Sequence, residues 1–95
     1  MMLVKPTAPF TRTEFARHLE EHRIGNRMLF GGNLLRQAAF VQLRQENPGA
    51  IRVVGEMTGA DRIMNESIFV GVYPGLTRAM LEYIVETTRA FCHKA

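Results

Sequence analysis

What this 95-residue chain has little of limits it first. It carries one cysteine, Cys92, so no internal disulfide can form. A lone thiol fits a reducing cytoplasm, and near the end of a helix it is expected to be a small packing residue rather than a nucleophile. No apolar run approaches the roughly 20 residues of a membrane span. The N-terminus has one lysine and no apolar signal core, so neither export nor membrane anchoring is expected. No basic run is interleaved with aromatics, and neither a zinc-finger spacing nor an RNA-binding signature occurs. Twelve Lys and Arg against nine Asp and Glu leave +3 and a pI of about 9.6, spread along the chain rather than clustered. A nucleic-acid partner is therefore not expected, while small anions remain open.

What is present is an ordinary globular composition, 46% apolar and 22% charged, long enough for one core and hence one domain over residues 1–95. Residues 2–5 read as a strand stopped by Pro6 and Pro9. A chain that opens directly in a strand is expected to be a piece of something longer. Thr11 and Glu14 form a capping box, with Phe10 and Phe15 at staple spacing, and predict a helix from Thr11 to about Arg23. Phe15, Ala16 and Leu19 form its buried face, and Gly25 is expected to end it. Met28 to Phe30 reads as a short buried strand. Gly31-Gly32 is a sharp exit with positive φ available. Residues 37–46 read as a helix closed by Asn47-Pro48-Gly49, Ile51–Val54 as a strand, and Thr58–Asp61 as the opening of a brief helical turn over Arg62 to Met64.

Ser67–Tyr73 reads as the best strand, followed by a Pro74-Gly75 turn. Thr77 caps a last helix whose buried stripe is Met80, Leu81, Ile84, Val85, Thr88 and Phe91. The order predicts an α+β two-layer sandwich, a small mostly antiparallel sheet with two main amphipathic helices on one face.

Few motifs carry chemistry. His18-Leu19-Glu20-Glu21-His22 matches the H-x-x-E-H pattern of inverted zinc peptidases, and i, i+4 spacing puts both imidazoles on one helical face. Catalytic zinc needs a third protein ligand, and His93 lies at the end of another helix, so no metal site is expected. Gly31-Gly32 lacks the residues of a phosphate loop. Asp61 and Glu66 could be imagined as an acid/base pair, but no nucleophile accompanies them. The glycine exit is different. Arg27, Asn33, Arg36 and Gln37 stand around it, forks and amides of the kind that hold carboxylates, phosphates and sugar hydroxyls. The same residues also suit a plain glycine turn whose polar side chains face water.

Three stretches carry a resemblance: Asn26 to Gln37 (NRMLFGGNLLRQ), Gly59 to Asn65 (GADRIMN) and Phe69 to Thr77 (FVGVYPGLT). Together they resemble the C-terminal part of the sugar-nucleotide 3-dehydrases of lipopolysaccharide biosynthesis, of the CDP-4-keto-6-deoxyglucose 3-dehydrase type. These belong to the DegT/DnrJ/EryC1/StrS group of the pyridoxal-phosphate aminotransferase fold. The likeness runs over nearly the whole chain. Its most specific string is Arg-x-Leu-Phe-x-Gly-Asn-Leu followed by Arg-Gln, with Ala38 standing where the family usually has a proline.

The resemblance implies the small C-terminal domain that packs over a large cofactor-binding domain and closes its cleft. In the family, pyridoxamine phosphate condenses with the 4-keto sugar, and the CDP-sugar enzymes add an iron–sulfur cluster, [2Fe-2S] being the expected kind. That machinery belongs to the large domain. By this reading the chain holds no cofactor, metal or catalytic residue and is inactive alone. Its partners are the large domain of a homodimeric cytoplasmic parent and a nucleotide sugar. Arg27, Asn33, Arg36 and Gln37 fall on the motif facing the sugar-nucleotide cleft, which implies substrate binding and leaves CDP and GDP sugars open. The residues alone also allow a free-standing α+β binding module whose glycine loop holds an anionic metabolite or a protein partner. Residues 31–38, with two glycines and no proline, are expected to be the most mobile internal segment.

Overall fold

The computed structural model describes residues 1–94. Its elements run β1 (Met2–Leu3), α1 (Arg12–Glu21), β2 (Asn26–Arg27), a 3-10 turn (Leu34–Arg36), α2 (Ala38–Glu46), a second 3-10 turn (Pro48–Ala50), α3 (Thr58–Glu66), β3 (Ser67–Val70) and α4 (Arg78–Lys94). β3 is the central strand of a three-stranded antiparallel sheet of order β1-β3-β2. Met2 faces Ile68 and Leu3 faces Ser67 on one side; Asn26 faces Val70 and Arg27 faces Phe69 on the other. With α1 and α4 packed together and α1 lying on β3, the α+β arrangement is the one expected.

Both ends of α1 are fixed by local chemistry. Thr11 Oγ1 accepts the Glu14 N–H at 3.2 Å while Glu14 Oε2 accepts the Thr11 N–H at 2.7 Å, a complete capping box. Those bonds, the backbone one first, hold the Glu14 carboxyl below its usual range. Gly25 does not end the helix. Arg23 takes the left-handed conformation instead, φ 59°. Its N–H donates to Glu20 O at 3.0 Å, and the Ile24 N–H donates to Leu19 O at 2.9 Å. That pair is a Schellman motif, and the usual apolar contact comes with it: Leu19 and Ile24 are both buried core residues.

The core is Val4, Phe15, Leu19, Ile24 and Ile68, ringed by Phe10, Val70, Ile84 and Phe91 among others. Phe10 meets Phe91 edge-on at 4.8 Å, and Phe15 lies 5.5 Å from Phe91, so the C-terminal half of α4 docks through an aromatic cluster. In the N-terminal half, Ile84 alone among the described residues packs against the core. Met80, Leu81 and Val85, expected in the buried stripe, are 45–47% exposed, while Thr87 is buried. The N-terminal half of α4 overhangs α1, tied to it by Tyr83 Oη donating to His22 O at 2.9 Å.

Four strand readings change. The strand read over residues 2–5 pairs only at Met2 and Leu3. Ser67–Tyr73 shortens to β3, because the chain leaves the sheet at Gly71. Met28–Phe30 is not a buried strand: Phe30 is 97% exposed, and pairing stops at Arg27. The Leu29 carbonyl accepts from Gly32 N at 3.2 Å, so the glycine turn takes the backbone a longer strand would need. Ile51–Val54 pairs with none of the three strands, and β-branched residues have little strand preference without a ladder to join. In the other direction, the brief turn expected at Arg62–Met64 is a nine-residue helix, α3. Its C-terminal end is closed by Ser67 Oγ donating to Ile63 O at 2.6 Å and by the Arg12 guanidinium donating to Met64 O.

Candidate functional site

The two residues Gly31 and Gly32 place the polar group. Both have left-handed φ, 76° and 56°, which a side chain rarely adopts. Gly32 also passes so close to α3 that a Cβ there would sit 2.6 Å from Met64 Cγ. The glycines thus press the turn onto α3 and aim the following 3-10 turn at its first turn, where Asp61 stands.

Asn33 caps that 3-10 turn, its Oδ1 accepting the Leu35 N–H at 3.1 Å. The side chain is buried, and its Nδ2 donates to Asp61 Oδ1 at 2.9 Å. Arg36 grips the same carboxylate as a fork, Nε to Oδ1 at 2.5 Å and Nη2 to Oδ2 at 2.8 Å. Gln37 Nε2 donates to Gly31 O at 2.9 Å and closes the loop on itself. The hydrogen bond from Arg36, then that from Asn33, pull the Asp61 carboxyl down to about 2, and the same pairing raises the Arg36 pKa. Asp61 is therefore ionised at neutral pH and offers no proton, which removes it as a general acid. Glu66 is not beside it in a pair; its carboxylate binds Arg62 at 2.8 Å.

Of the four residues singled out in the sequence, Asn33, Arg36 and Gln37 are brought together around the glycines. Arg27 stands outside that bonded group, on β2 opposite Phe69, lining a shallow cleft with Glu20, Gly25 and Gly71. Asp61, weighed in the sequence only as half of an acid/base pair with Glu66, is the member missing from that group of four. The signal was there in the GADRIMN string, which the fold sets against NRMLFGGNLLRQ through this ion pair. Within the segment 31–38, expected to be the most mobile, these side-chain bonds act against part of the freedom its glycines confer.

The His18/His22 pair is engaged elsewhere. His18 Nε2 lies 3.1 Å from Thr87 O and its ring packs 4.8 Å from Phe91, while His22 Nδ1 lies 2.8 Å from His18 O. A larger cleft, about 590 Å³, is lined by Ile24, Val70, Tyr73, Leu76, Met80 and Ile84 among others. It is chiefly apolar and shares no residue with the Asn33–Arg36–Asp61 group, so the convergent polar chemistry marks the candidate site and the cleft does not. The arrangement can hold an anion or a hydroxylated ligand; it contains no nucleophile–base pair.

No family model matches the chain. It is 43% identical, over 93% of its length, to the lipopolysaccharide biosynthesis protein RfbH of Salmonella typhimurium. It is 38% identical, over 97% of its length, to the dTDP-4-dehydro-2,6-dideoxy-D-glucose 3-dehydratase of Saccharopolyspora spinosa. The chain spans about a fifth of the length of these curated relatives, 19% in each case. Over nearly all its residues, then, this chain is homologous to one segment of a lipopolysaccharide biosynthesis protein and of a sugar-nucleotide 3-dehydratase.

Proposed function

We propose that the chain acts as the C-terminal small domain of a pyridoxamine- or pyridoxal-phosphate-dependent sugar-nucleotide 3-dehydrase in deoxysugar and lipopolysaccharide O-antigen biosynthesis. There it closes the cleft of a large domain within a cytoplasmic homodimer and is inactive alone. The observation that carries this is the end-to-end likeness to about a fifth of a 3-dehydratase and of a lipopolysaccharide biosynthesis protein. Exposed apolar residues supply a surface to pack: Met28 is 56%, Phe30 97% and Leu34 53% exposed, all on the segment around the candidate site. Within that site Arg36 and Gln37, with Arg27 at the neighbouring cleft, would hold the nucleotide sugar, and Asn33, buried and bonded to Asp61 and the Leu35 N–H, would hold the turn that presents them.

Two of the family's cofactor arrangements do not fit the residues of this chain. Pyridoxal phosphate held as a Schiff base needs a sheltered lysine, and the two here, Lys5 and Lys94, are both exposed. A [2Fe-2S] cluster needs four ligands of cysteine type, and the chain has Cys92 alone. Among the described residues no three His, Cys, Asp or Glu side chains could hold a metal ion, and no helix is long and apolar enough to cross a membrane.

The test is a chimera: the matching segment of the Saccharopolyspora dehydratase is replaced by this chain, and dehydration of its dTDP-sugar is assayed. Activity within about tenfold of the parent, absent when the segment is deleted, is expected. A chimera that loads cofactor and dimerises but has no turnover would overturn the reading and favour a free-standing binding module. In the active chimera Arg36→Ala should raise KM more than it lowers kcat.

A further inference from the structure

The fork of Arg36 is only half used. Asp61 takes the Nε–Nη2 edge of the guanidinium, and among the described residues no other acceptor is bonded to it. The end-on edge between Nη1 and Nη2 is left, on a side chain that is 59% exposed. Behind Asp61 stands Asn33, itself 4% exposed, so the carboxylate that grips the arginine is itself gripped. Behind Asn33 are the left-handed glycines, with Gly32 wedged on Met64. The chain of constraint runs from backbone to amide to carboxylate to guanidinium.

We infer that Asp61 is a positioning residue: it fixes the plane of Arg36 so that the end-on edge presents two parallel N–H donors to an oxyanion of the diphosphate type. This rests on the reading that Arg36 meets the anionic part of the ligand. A free arginine has among the largest rotamer freedom of any side chain and must give it up on binding. One already clamped by two charge-assisted bonds has given it up beforehand. Against this stands repulsion between Asp61 and the incoming anion. The guanidinium lies between the two negative groups, and water screens them at so exposed a position. Ordering therefore outweighs repulsion, and Asp61 helps the anion bind rather than competing with it for Arg36.

These alternatives give opposite signs, so one experiment separates them. The full chain, 15N-labelled at arginine, is titrated with inorganic pyrophosphate and separately with dTDP-glucose while the Arg36 side-chain NMR signals are followed. The expected result is a saturable shift of the Arg36 Nη signals while the Nε–H resonance, bonded to Asp61, stays downfield and slow to exchange. Asp61→Asn should weaken binding about fivefold or more, roughly the scale of one ordinary hydrogen bond, and Asp61→Glu should restore part of it. Core amides of α1 and α4 report whether each variant is folded, and Asp61→Glu keeps the test open if the asparagine variant is not. Disappearance of the Nε–H signal on titration, or tighter or unchanged binding in Asp61→Asn, overturns the positioning role alone. A saturable shift with both probes means that the diphosphate is what is recognised; with dTDP-glucose alone, it means that the sugar or nucleoside is needed too. No saturable shift with either probe removes Arg36 from the site, and with it the proposed substrate contacts.

Discussion

Three residues show how a single backbone or side-chain choice is read out. Arg23 holds a left-handed conformation at the end of α1 that glycine adopts without strain. Arg23→Gly should raise stability by about 0.5–1 kcal/mol in urea unfolding, and Arg23→Val should lower it by a similar amount. Gly32 is the reverse case. Alanine there meets both a positive φ and Met64, so Gly32→Ala should cost about 1–3 kcal/mol. Gly25→Ala, where nothing lies within 4 Å and φ is not positive, should be nearly silent. Asp61 sets a pH dependence. Its folded-state pKa is depressed from 3.8 to about 2, so its contribution is present above the unfolded value and disappears as pH falls through the folded one. Acid titration of stability should therefore show the gap between the chain and Asp61→Asn constant above about pH 4 and closing between about 4 and 2.

At the scale of elements the contrast lies between α1 and α2. α1 has a capping box, a Schellman end and two buried residues on its inner face. α2 has neither a side-chain cap nor a buried residue, and its close contacts are with the flanking 3-10 turns. Nine residues without tertiary support are too short to hold a helix on propensity alone. Amide hydrogen exchange on the isolated chain should accordingly find α2 exchanging near the open-chain rate, while α1 and the C-terminal half of α4 are protected up to the global limit. Protection of α2 equal to that of α1 would contradict this. The glycine turn should fall between them, held by the bonds of Asn33, Arg36 and Gln37.

The whole molecule is long for its size. Its radius of gyration is 17.0 Å and its extents are 52 × 32 × 21 Å, where a compact chain of this length would have about 12 Å. The core is gathered at α1, α4 and the sheet, and the stretch from Met28 through α2 carries Phe30, Leu34, Phe40, Val41 and Leu43 with at least a third of their surface in water. Small-angle scattering from the isolated chain should give a value near the longer figure if this stretch keeps its pose, and one near about 12–13 Å if it folds back onto the core. Such a surface is what a small domain packed on a larger body would expose when alone, as the proposed function requires.

The amino-acid sequence alone determined what depends on neighbours in the chain. The Thr11–Glu14 cap, the Phe10–Phe15 staple, the positive φ at Gly31-Gly32 and the strand character of Ser67 to Val70 are local, and each was legible because its cause lies within a few residues. The family strings were legible too, because they are long and specific. What the sequence could not decide was pairing at a distance. Met28–Phe30 and Ile51–Val54 have the composition of strands, but a strand exists only where a partner offers a ladder. Met80, Leu81 and Val85 have the period of a buried stripe, but only the part of α4 that reaches α1 is covered. Asp61 looked like a stray carboxylate until the fold set it, across 25 residues of chain, against Arg36. Tertiary structure made that choice, because an ion pair is fixed by where two backbones meet and not by the spacing between their residues.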